Sequence, residues 1–301
     1  MTNSVLVTGA GGKTGRAVIA ALRARDVAVR ALVRRSQQAE TLRDLGVEDV
    51  IVGDLENPES LLDACRGVQS VYHICPNMHP REFEIGLSMI AAAQSASVGH
   101  FVYHSVLHPQ TEAMPHHWQK LRVEERLFES GLPFTILQPA PYMQNVLAHR
   151  RRIFEDGIYP VPYSAETRLA LVDLVDVGEA AATVLLESGH GDAVYELVGE
   201  AGLTQDEVAA ILSGEIERSV SVKEIAVRDW RRQATANGME SYQVDTLARM
   251  FEYYNVYGLT GSPNVLRWLL EREPTSFASF ARREFGQQRT SQITTGPQEN
   301  R

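Results

Sequence analysis

The glycine-rich stretch near the start of the sequence constrains the fold more than any other feature. Residues 5–7 form a continuous apolar run, as expected for a buried strand of a parallel sheet. Glycines follow at Gly9, Gly12 and Gly15, and residues 16–22 then place apolar side chains on one helical face. A strand, a glycine turn and a helix in this order are the context of a dinucleotide-binding fingerprint.

The glycine spacing differs from the G-x-G-x-x-G form, but the physical requirements are the same. A residue without Cβ is needed where the chain turns sharply, where backbone meets a pyrophosphate, and where helix packs on strand. The helix N-terminus then offers free N–H groups to the phosphates. A P-loop is excluded, because the G-x-x-x-x-G-K-[ST] order is absent. We therefore predict dinucleotide contacts at Thr8, Gly9, Gly11, Gly12, Lys13, Thr14 and Gly15.

The end of the second predicted strand, residues 27–33, indicates which cofactor is bound. An NAD site usually has Asp or Glu here to accept hydrogen bonds from the ribose 2′-hydroxyl. This chain has Arg34 and Arg35 instead, and guanidinium groups bind a 2′-phosphate that a carboxylate would repel. The position favours NADP(H), with Lys13 as a third positive charge. Two surface arginines that merely end a strand are the alternative.

Two further strand ends add candidate cofactor contacts. Asp54 and Leu55 follow the third predicted strand, where Asp54 either meets the adenine edge or caps a turn. Cys75 and Pro76 follow the fourth strand, at the sheet edge where ligands of open α/β proteins lie. No electropositive group stands near Cys75 in the sequence, which favours an unreactive wall residue over a reactive thiol.

Strands and helices alternate from residue 4 to residue 155, which predicts an α/β fold with a doubly wound parallel Rossmann sheet. Shorter elements follow. We divide the chain into an NADP-binding Rossmann domain over residues 1–155 and a smaller C-terminal α/β lobe over residues 156–285. This lobe is predicted to interleave with the Rossmann core and to cover the cleft. The polar residues 286–301 are expected to form a flexible tail.

Composition limits the class of protein. The 301 residues include 44% hydrophobic side chains, enough for a packed core, and a formal net charge of −9 argues against a nucleic-acid partner. Two cysteines suit a reducing compartment. No apolar run approaches the roughly 18 residues of a membrane span, and no signal peptide is recognisable. We expect a soluble, cytoplasmic protein that does not bind a membrane.

Segments around the fifth and sixth strands are predicted to converge on one site. Ser105 ends the fifth strand, and His116 and Lys120 lie one turn apart on the next helix, so that both share a face. Short-chain dehydrogenases place Tyr-x-x-x-Lys on this helix, and the Lys ammonium lowers the pKa of the Tyr phenol, which delivers a proton. In this chain His116 stands at the Tyr position, and Lys120 stands at the Lys position. The sixth strand leads into the candidate cofactor contacts Pro139, Tyr142 and Asn145.

The chain resembles the NmrA-like branch of the atypical short-chain dehydrogenases. The resemblance implies NADP(H) binding, a Lys120 side chain near the nicotinamide ribose, and a cleft beneath a small C-terminal lobe. The branch contains reductases and also cofactor-binding regulators. The matching motifs are the glycine turn, residues 31–34 and 53–55, His116 with Lys120, residues 133–139 with Asn145, and residues 263–266.

The chemistry of the helix after the fifth strand leaves alternatives open. His116 either donates a proton as an imidazolium or is a polar residue at a helix start. Lys120 is predicted to contact the cofactor and to support catalysis. Tyr103, Tyr142 or an ordered water are the next candidate proton donors. No clustered Asp or Cys residues complete a ligand set around the histidines, so no metal site is predicted.

Aromatic and apolar side chains predict the class of substrate. An apolar or aromatic small molecule is favoured by the candidate pocket walls Trp118, Tyr142, Met143 and Tyr159. Three functions stay open: an NADPH-dependent reductase of a small carbonyl, quinone or enone, a non-catalytic NADP(H) sensor, and a non-redox lyase or isomerase. The sensor would act through a regulatory protein partner, and a homodimer is an open alternative for the assembly.

Overall fold

A seven-stranded parallel β-sheet forms the centre of the protein, whose computed structural model describes residues 4–286. The strands of the described chain are β1 (Ser4–Val7), β2 (Ala28–Val33), β3 (Asp49–Val52), β4 (Ser70–His73), β5 (His100–His104), β6 (Phe134–Pro139), β7 (Ile158–Val161), β8 (Leu169–Leu171), β9 (Ala193–Leu197), β10 (Glu200–Leu203) and β11 (Ser221–Glu224). The main sheet has the order β3-β2-β1-β4-β5-β6-β9. Every neighbouring pair in it is parallel. The predicted doubly wound Rossmann fold is confirmed.

Helices cover both faces of this sheet. They are α1 (Lys13–Arg23), α2 (Ser36–Asp44), α3 (Pro58–Cys65), α4 (Glu82–Ser95), α5 (Pro115–Phe128), α6 (Arg150–Asp156), α7 (Leu174–Leu186), α8 (Gln205–Ile216), α9 (Val227–Ala236), α10 (Ser241–Tyr257), α11 (Asn264–Leu270) and α12 (Phe277–Phe285). A 3-10 helix spans Met143–His149. Within residues 4–286, no helix has both the length and the apolar character needed to cross a membrane.

The strands carry apolar side chains on both faces, so each face must be buried by helices. On one face α1 packs against α7, and a Cβ at Gly178 would lie 2.6 Å from the Ala17 carbonyl oxygen. Glycine therefore allows these two helices to approach closely. On the other face α3, α4 and α5 contribute Leu61, Met89 and Val123 to a buried apolar cluster.

The chain after β6 forms a smaller layer and then returns to the main sheet. β7 pairs in parallel with β11, and β8 pairs with β10 in antiparallel fashion. Their core includes Met143, Ile153, Phe277 and Phe280. β9, by contrast, pairs with β6 at the edge of the main sheet. The domain division at residue 155 stays a prediction, and the predicted tail from residue 287 onward lies outside the described residues.

The sheet positions the site through its strand order. The order reverses between β1 and β4, because the chain runs outward from β1 to β3 and then crosses back. Ligands of open α/β sheets bind at the carboxyl ends of the strands at such a switch point. The glycine turn after β1 and the segments after β4 and β5 therefore meet at one edge.

Candidate cofactor and substrate site

The glycine turn after β1 has the geometry of a phosphate cradle. Gly9 has a φ of +58°, a left-handed conformation that residues with a side chain rarely adopt. A Cβ at Gly15 would lie 2.5 Å from the Gly9 carbonyl oxygen, so α1 can pack here only with glycine. At Gly12 a Cβ would meet that same oxygen at 3.2 Å and nothing closer. This contact is tight but less severe than the one at Gly15. Contact of Gly12 with the cofactor stays a prediction.

A cavity of about 260 Å³ lies between this turn and the ends of β2 and β3. The first turn of α1 has no side-chain cap, which leaves its amides free for an anion. Arg34 and Arg35 line the same cavity, and both are exposed. A positive strand end beside uncapped helix amides fits the adenosine half of a dinucleotide with a 2′-phosphate. Other predicted residues in the lining are Gly9, Gly11, Gly12, Asp54, Leu55 and Pro76.

Asp54 and Gln38 line this cavity and also make hydrogen bonds within the protein. Asp54 lines it, but Asp54 Oδ1 also accepts a hydrogen bond from the Glu56 amide at 3.0 Å, so Asp54 caps its turn as well. Gln38 is not among the predicted site residues. Its side-chain amide nitrogen lies 2.7 Å from where a Cβ at Gly11 would be. Gln38 Oε1 accepts a hydrogen bond from the Arg35 amide at 3.1 Å. Gln38 therefore lies across the glycine turn.

A buried charged cluster lies at the carboxyl ends of β4 and β5. Lys120 donates a hydrogen bond to the His104 carbonyl oxygen at 2.9 Å, and its Nζ lies 2.6 Å from Glu82 Oε1. His116 Nδ1 lies 3.3 Å from Glu82 Oε2. Burial by itself raises the pKa of Glu82, but the Lys120 ammonium and the His116 ring outweigh it and lower that pKa to about 2. Glu82 is therefore ionised and paired with Lys120.

Glu82 is a site residue that the sequence analysis missed, although a signal exists. Glu82 lies on the same face of α4 as Ile85, Gly86 and Met89, and all four are buried. A carboxylate on the apolar face of a helix indicates a buried ionic partner. The predicted pair of Lys120 and His116 is thus a triad whose acid comes from the preceding helix.

A chain of hydrogen bonds joins the glycine turn to β4 and β5. Thr14 Oγ1 lies 3.3 Å from the Tyr142 hydroxyl, which lies 2.6 Å from His104 Nε2. On the other side of the ring, His104 Nδ1 lies 2.7 Å from the Tyr72 hydroxyl. Burial, reinforced by the Lys120 charge, lowers the pKa of His104 to about 3. The ring is therefore neutral near pH 7, so it has one donor and one acceptor.

A smaller cavity of about 60 Å³ is bordered by Tyr142 as well. Three of the four predicted substrate-pocket residues line it, and its walls are largely apolar and aromatic. The lining comprises Pro141, Tyr142, Met143, Asn145, Val146, Tyr159, Tyr163, Leu169, Leu171, Gln205, Val208 and Phe277.

Ser105 and Cys75, two of the predicted cofactor contacts, have buried side chains. Ser105 is fully buried and donates a hydrogen bond to Glu124, which also accepts one from Gln138 at 3.0 Å. Burial raises the pKa of the Cys75 thiol, and the nearby Glu82 carboxylate adds to this effect. The neutral thiol agrees with an unreactive wall residue. Contact of Ser105 and Cys75 with a cofactor stays a prediction.

The remaining predicted residues lie at different places, and most of them line neither of the two cavities. Asn145 borders the smaller cavity, whereas Trp118 lines neither of the two. Thr8 is fully buried, and its hydroxyl accepts a hydrogen bond from the Ile74 amide at 2.8 Å. Thr8 thereby ties β1 to β4 below the site. Lys13 is exposed at the start of α1, and Pro139 ends β6.

Comparisons with known proteins point to reductases. The NAD(P)H azoreductase of Xenophilus azovorans is 29% identical over 280 residues, which cover 92% of this chain and 96% of the relative. Quinone oxidoreductase 2 of Escherichia coli (strain K12) is 27% identical over 276 residues, which cover 91% and 96%.

Solved structures agree with this relationship. The triphenylmethane reductase of Citrobacter sp., complexed with NADP(H), matches with a TM-score of 0.82 at 27% identity and covers 93% of this chain and 99% of its own. The NADPH-dependent quinone oxidoreductase of Escherichia coli, complexed with NADPH, has the same TM-score at 26% identity and the same coverage. The model of the NmrA-like family matches residues 1–281, and this chain belongs to that family.

Proposed function

We propose that this protein is an NADPH-dependent reductase of small, apolar acceptors of the quinone type. The observation that carries the proposal is the larger cavity, where the glycine turn, the uncapped amides of α1, and Arg34 with Arg35 meet. Relatives named as quinone oxidoreductase, azoreductase and triphenylmethane reductase support it, as do the NADPH and NADP(H) in two solved relatives.

The chain's own residues account for the choice of NADP(H). Arg34 and Arg35 stand where a carboxylate would otherwise accept hydrogen bonds from the ribose. Their guanidinium groups bind a 2′-phosphate through paired, charge-assisted hydrogen bonds. Gly12 and the first amides of α1 hold the pyrophosphate. The site therefore binds NADPH more tightly than NADH.

The buried triad prepares the nicotinamide end of the cleft. NADPH, when bound, supplies a hydride to the acceptor. Lys120 has three N–H donors, of which the described residues Glu82 and His104 occupy two. The ammonium also lies 5.2 Å from the centre of the Tyr103 ring. We assign its third donor to the ribose, as the family resemblance implies. Glu82 fixes the ammonium at this position, and a proton-donating role for His116 stays a prediction.

The smaller cavity supplies the acceptor side. It is bordered by Tyr142, Met143 and Tyr159, whose rings and thioether make an apolar wall. A wall of this kind favours a flat, uncharged ring system such as a quinone over a sugar or an amino acid. The cavity measures about 60 Å³, less than a quinone ring needs, so the proposal requires its lining residues to move apart when the acceptor binds.

The test is a screen of quinones for NADPH oxidation, followed at the absorbance band of the reduced nicotinamide. We expect NADPH to be consumed in a one-to-one ratio with hydroquinone formed, and a simple alkyl ketone to react more slowly. Binding of NADPH without turnover of any quinone would overturn the proposal in favour of a cofactor sensor. A protein that binds no NADPH would overturn both.

A further inference from the structure

Tyr142 lies between the glycine turn and the smaller cavity. The hydroxyl contacts Thr14 in the first turn of α1 and His104 at the end of β5. The ring borders the smaller, apolar cavity. The backbone on both sides is fixed, because the Met143 amide donates a hydrogen bond to the Val172 carbonyl oxygen at 2.9 Å and the Pro141 carbonyl oxygen accepts one from the Val172 amide at 3.0 Å. One phenol thus borders the cofactor turn and the acceptor cavity.

The hydrogen-bond partners of His104 determine which atoms of His104, Tyr72 and Tyr142 carry the protons. A neutral His104 donates to one tyrosine and accepts from the other. Tyr72 is fully buried, and its hydroxyl partner among the described residues is His104 Nδ1. If His104 donated through Nδ1, the Tyr72 proton would be buried without an acceptor, which is unfavourable. Tyr72 therefore donates to Nδ1, and His104 donates through Nε2 to Tyr142.

This arrangement leaves the proton of Tyr142 uncommitted. The Tyr142 oxygen accepts one hydrogen bond from His104 Nε2 and one from Thr14 Oγ1. A hydroxyl has two acceptor positions and one donor. Both acceptor positions of Tyr142 are filled, and within residues 4–286 its proton has no acceptor. Tyr142 lines the acceptor cavity, whereas Thr14 and His104, the partners of its hydroxyl, do not. Proton donation therefore requires the acceptor oxygen to lie between this cavity and the glycine turn, within reach of the Tyr142 O–H.

We propose that Tyr142 is the proton donor of the reduction, a role that rests on the proposed reductase function. A quinone takes up a hydride, with its electron pair, from NADPH and gains negative charge on an oxygen. The Tyr142 O–H bond then breaks, and a new O–H bond forms on that oxygen to give the hydroquinone. The phenolate regains a proton from water after the product leaves. The balance is one quinone, one NADPH and one proton converted to one hydroquinone and one NADP⁺.

His104 and Tyr72 are positioning residues in this scheme. Burial raises the pKa of Tyr72 well above its usual value, so Tyr72 keeps its proton and no relay passes through it. Burial also raises the pKa of Tyr142 to about 12, while the hydrogen bond from Thr14 lowers it in part. Tyr142 is therefore a protonated phenol before the reaction. The hydrogen bonds from His104 and Thr14 stabilise the phenolate that the reaction forms.

The first test requires no turnover. Long-range ¹H–¹⁵N spectra of the imidazole rings, with the His104 signals assigned by their loss in His104→Gln, report which nitrogen carries the proton. We expect the Nε2–H form in the cofactor-free wild type, and a loss of that preference in Tyr72→Phe. An Nδ1–H form in the wild type would overturn the proposal, because the Tyr142 proton would then be committed to His104.

The second test separates proton donation from a structural role. Tyr142→Phe is compared with the matched control Tyr195→Phe. Tyr195 lies on edge strand β9, away from both cavities, and its hydroxyl lies 3.1 Å from His190 Nδ1 in the wild type. We expect Tyr142→Phe to lower kcat for a quinone by about 10²–10⁴-fold. Any rise in its Kd for NADPH, measured by fluorescence titration, should be far smaller than the loss in kcat. Tyr195→Phe should match the wild type in both.

A cationic triarylmethane dye provides the decisive comparison, because its carbocation takes up a hydride and needs no proton. Tyr142→Phe should reduce the dye within a few-fold of the wild-type rate while quinone reduction collapses. Equal losses with dye and quinone, or unchanged quinone reduction, would overturn the assignment. If the wild type does not turn over the dye, the solvent isotope effect on quinone reduction decides: a value near one overturns it. A wild type that binds NADPH but reduces no acceptor refutes the proposed function itself, whatever the His104 tautomer.

Discussion

Replacing Lys120 with Met should expose how much the buried ion pair contributes to stability. Glu82 is 1% exposed and Lys120 is 4% exposed, so the substitution leaves a carboxylate in the interior without its cation. The pKa of Glu82 falls from 4.5 to about 2 in the folded protein. At 1.36 kcal/mol per pKa unit, the ionised form of Glu82 contributes about 3 kcal/mol near pH 7. Breaking such a pair typically costs about 3–5 kcal/mol.

A double-mutant cycle measures this contribution directly. Urea unfolding at pH 7 gives the free energy of unfolding of the wild type, Lys120→Met, Glu82→Gln and the double variant. We expect each single variant to lose about 3 kcal/mol or more, and the double variant to lose clearly less than the sum of the two. Strictly additive losses would refute the reasoning, because they would mean that Glu82 and Lys120 do not interact.

The same pair predicts a direction with pH. The folded-state pKa of Glu82 lies below the unfolded value, so its stabilisation is complete above about pH 4.5 and is lost as pH falls towards 2. The difference in unfolding free energy between the wild type and Glu82→Gln should therefore shrink as pH falls from 5 to 3. A constant or growing difference across that range would contradict an ionised Glu82.

Three further variants test the cofactor site and the chemistry. Arg34→Ala should weaken NADPH binding by roughly 10- to 150-fold, the equivalent of about 1.5–3 kcal/mol for a hydrogen bond to a charged group, while NADH binding changes little; equal losses for both cofactors would show that Arg34 does not bind the 2′-phosphate. Gly12→Val should fold with a small loss of stability, because a Cβ there meets the Gly9 oxygen at 3.2 Å and that oxygen must shift by a few tenths of an ångström, yet it should bind neither dinucleotide in calorimetry. The matched Gly214→Val, in open space on α8, should bind both. His116→Ala would lower kcat about 10²–10⁴-fold at unchanged NADPH affinity if His116 donated the proton; assignment of that role to Tyr142 predicts a smaller loss than in Tyr142→Phe.

The sequence predicts the first half of the fold well because the signals there are local. The apolar run of β1, the glycines after it and the amphipathic pattern of α1 each concern neighbouring residues. Arg34 is predictable for the same reason, since a strand end carries its side chain to a known place in a Rossmann sheet. The family resemblance adds Lys120, whose role depends on one helical turn.

The site's long-range pairs are harder to read. Glu82 is separated from Lys120 by 38 residues, and only its place on the buried face of α4 hints at a partner. The pairing of Thr14 with Tyr142, 128 residues apart, follows from the packing of the second half of the chain on α1. Hydrophobic periodicity shows which face of an element is buried but not which side chain it meets there. These contacts required the structure.

The contact of Gln38 with the glycine turn could not be predicted from the sequence for a different reason. Gln38 lies in the first turn of α2, and its contact with the glycine turn depends on the angle at which α2 leaves β2. No local pattern specifies that angle. Gln38 stands beside Arg35 and inside the lining of the larger cavity, so it adds an amide to the residues that can meet a 2′-phosphate.

The ratio of kcat/KM for NADPH to that for NADH, measured with the same quinone on the wild-type protein, tests the central claim most directly. The claim is that a glycine cradle with Arg34 and Arg35 selects a phosphorylated dinucleotide for reductive chemistry. One charge-assisted contact is worth about 1.5–3 kcal/mol, so we predict a ratio of at least roughly tenfold in favour of NADPH. A ratio near one, or one that favours NADH, would contradict the account.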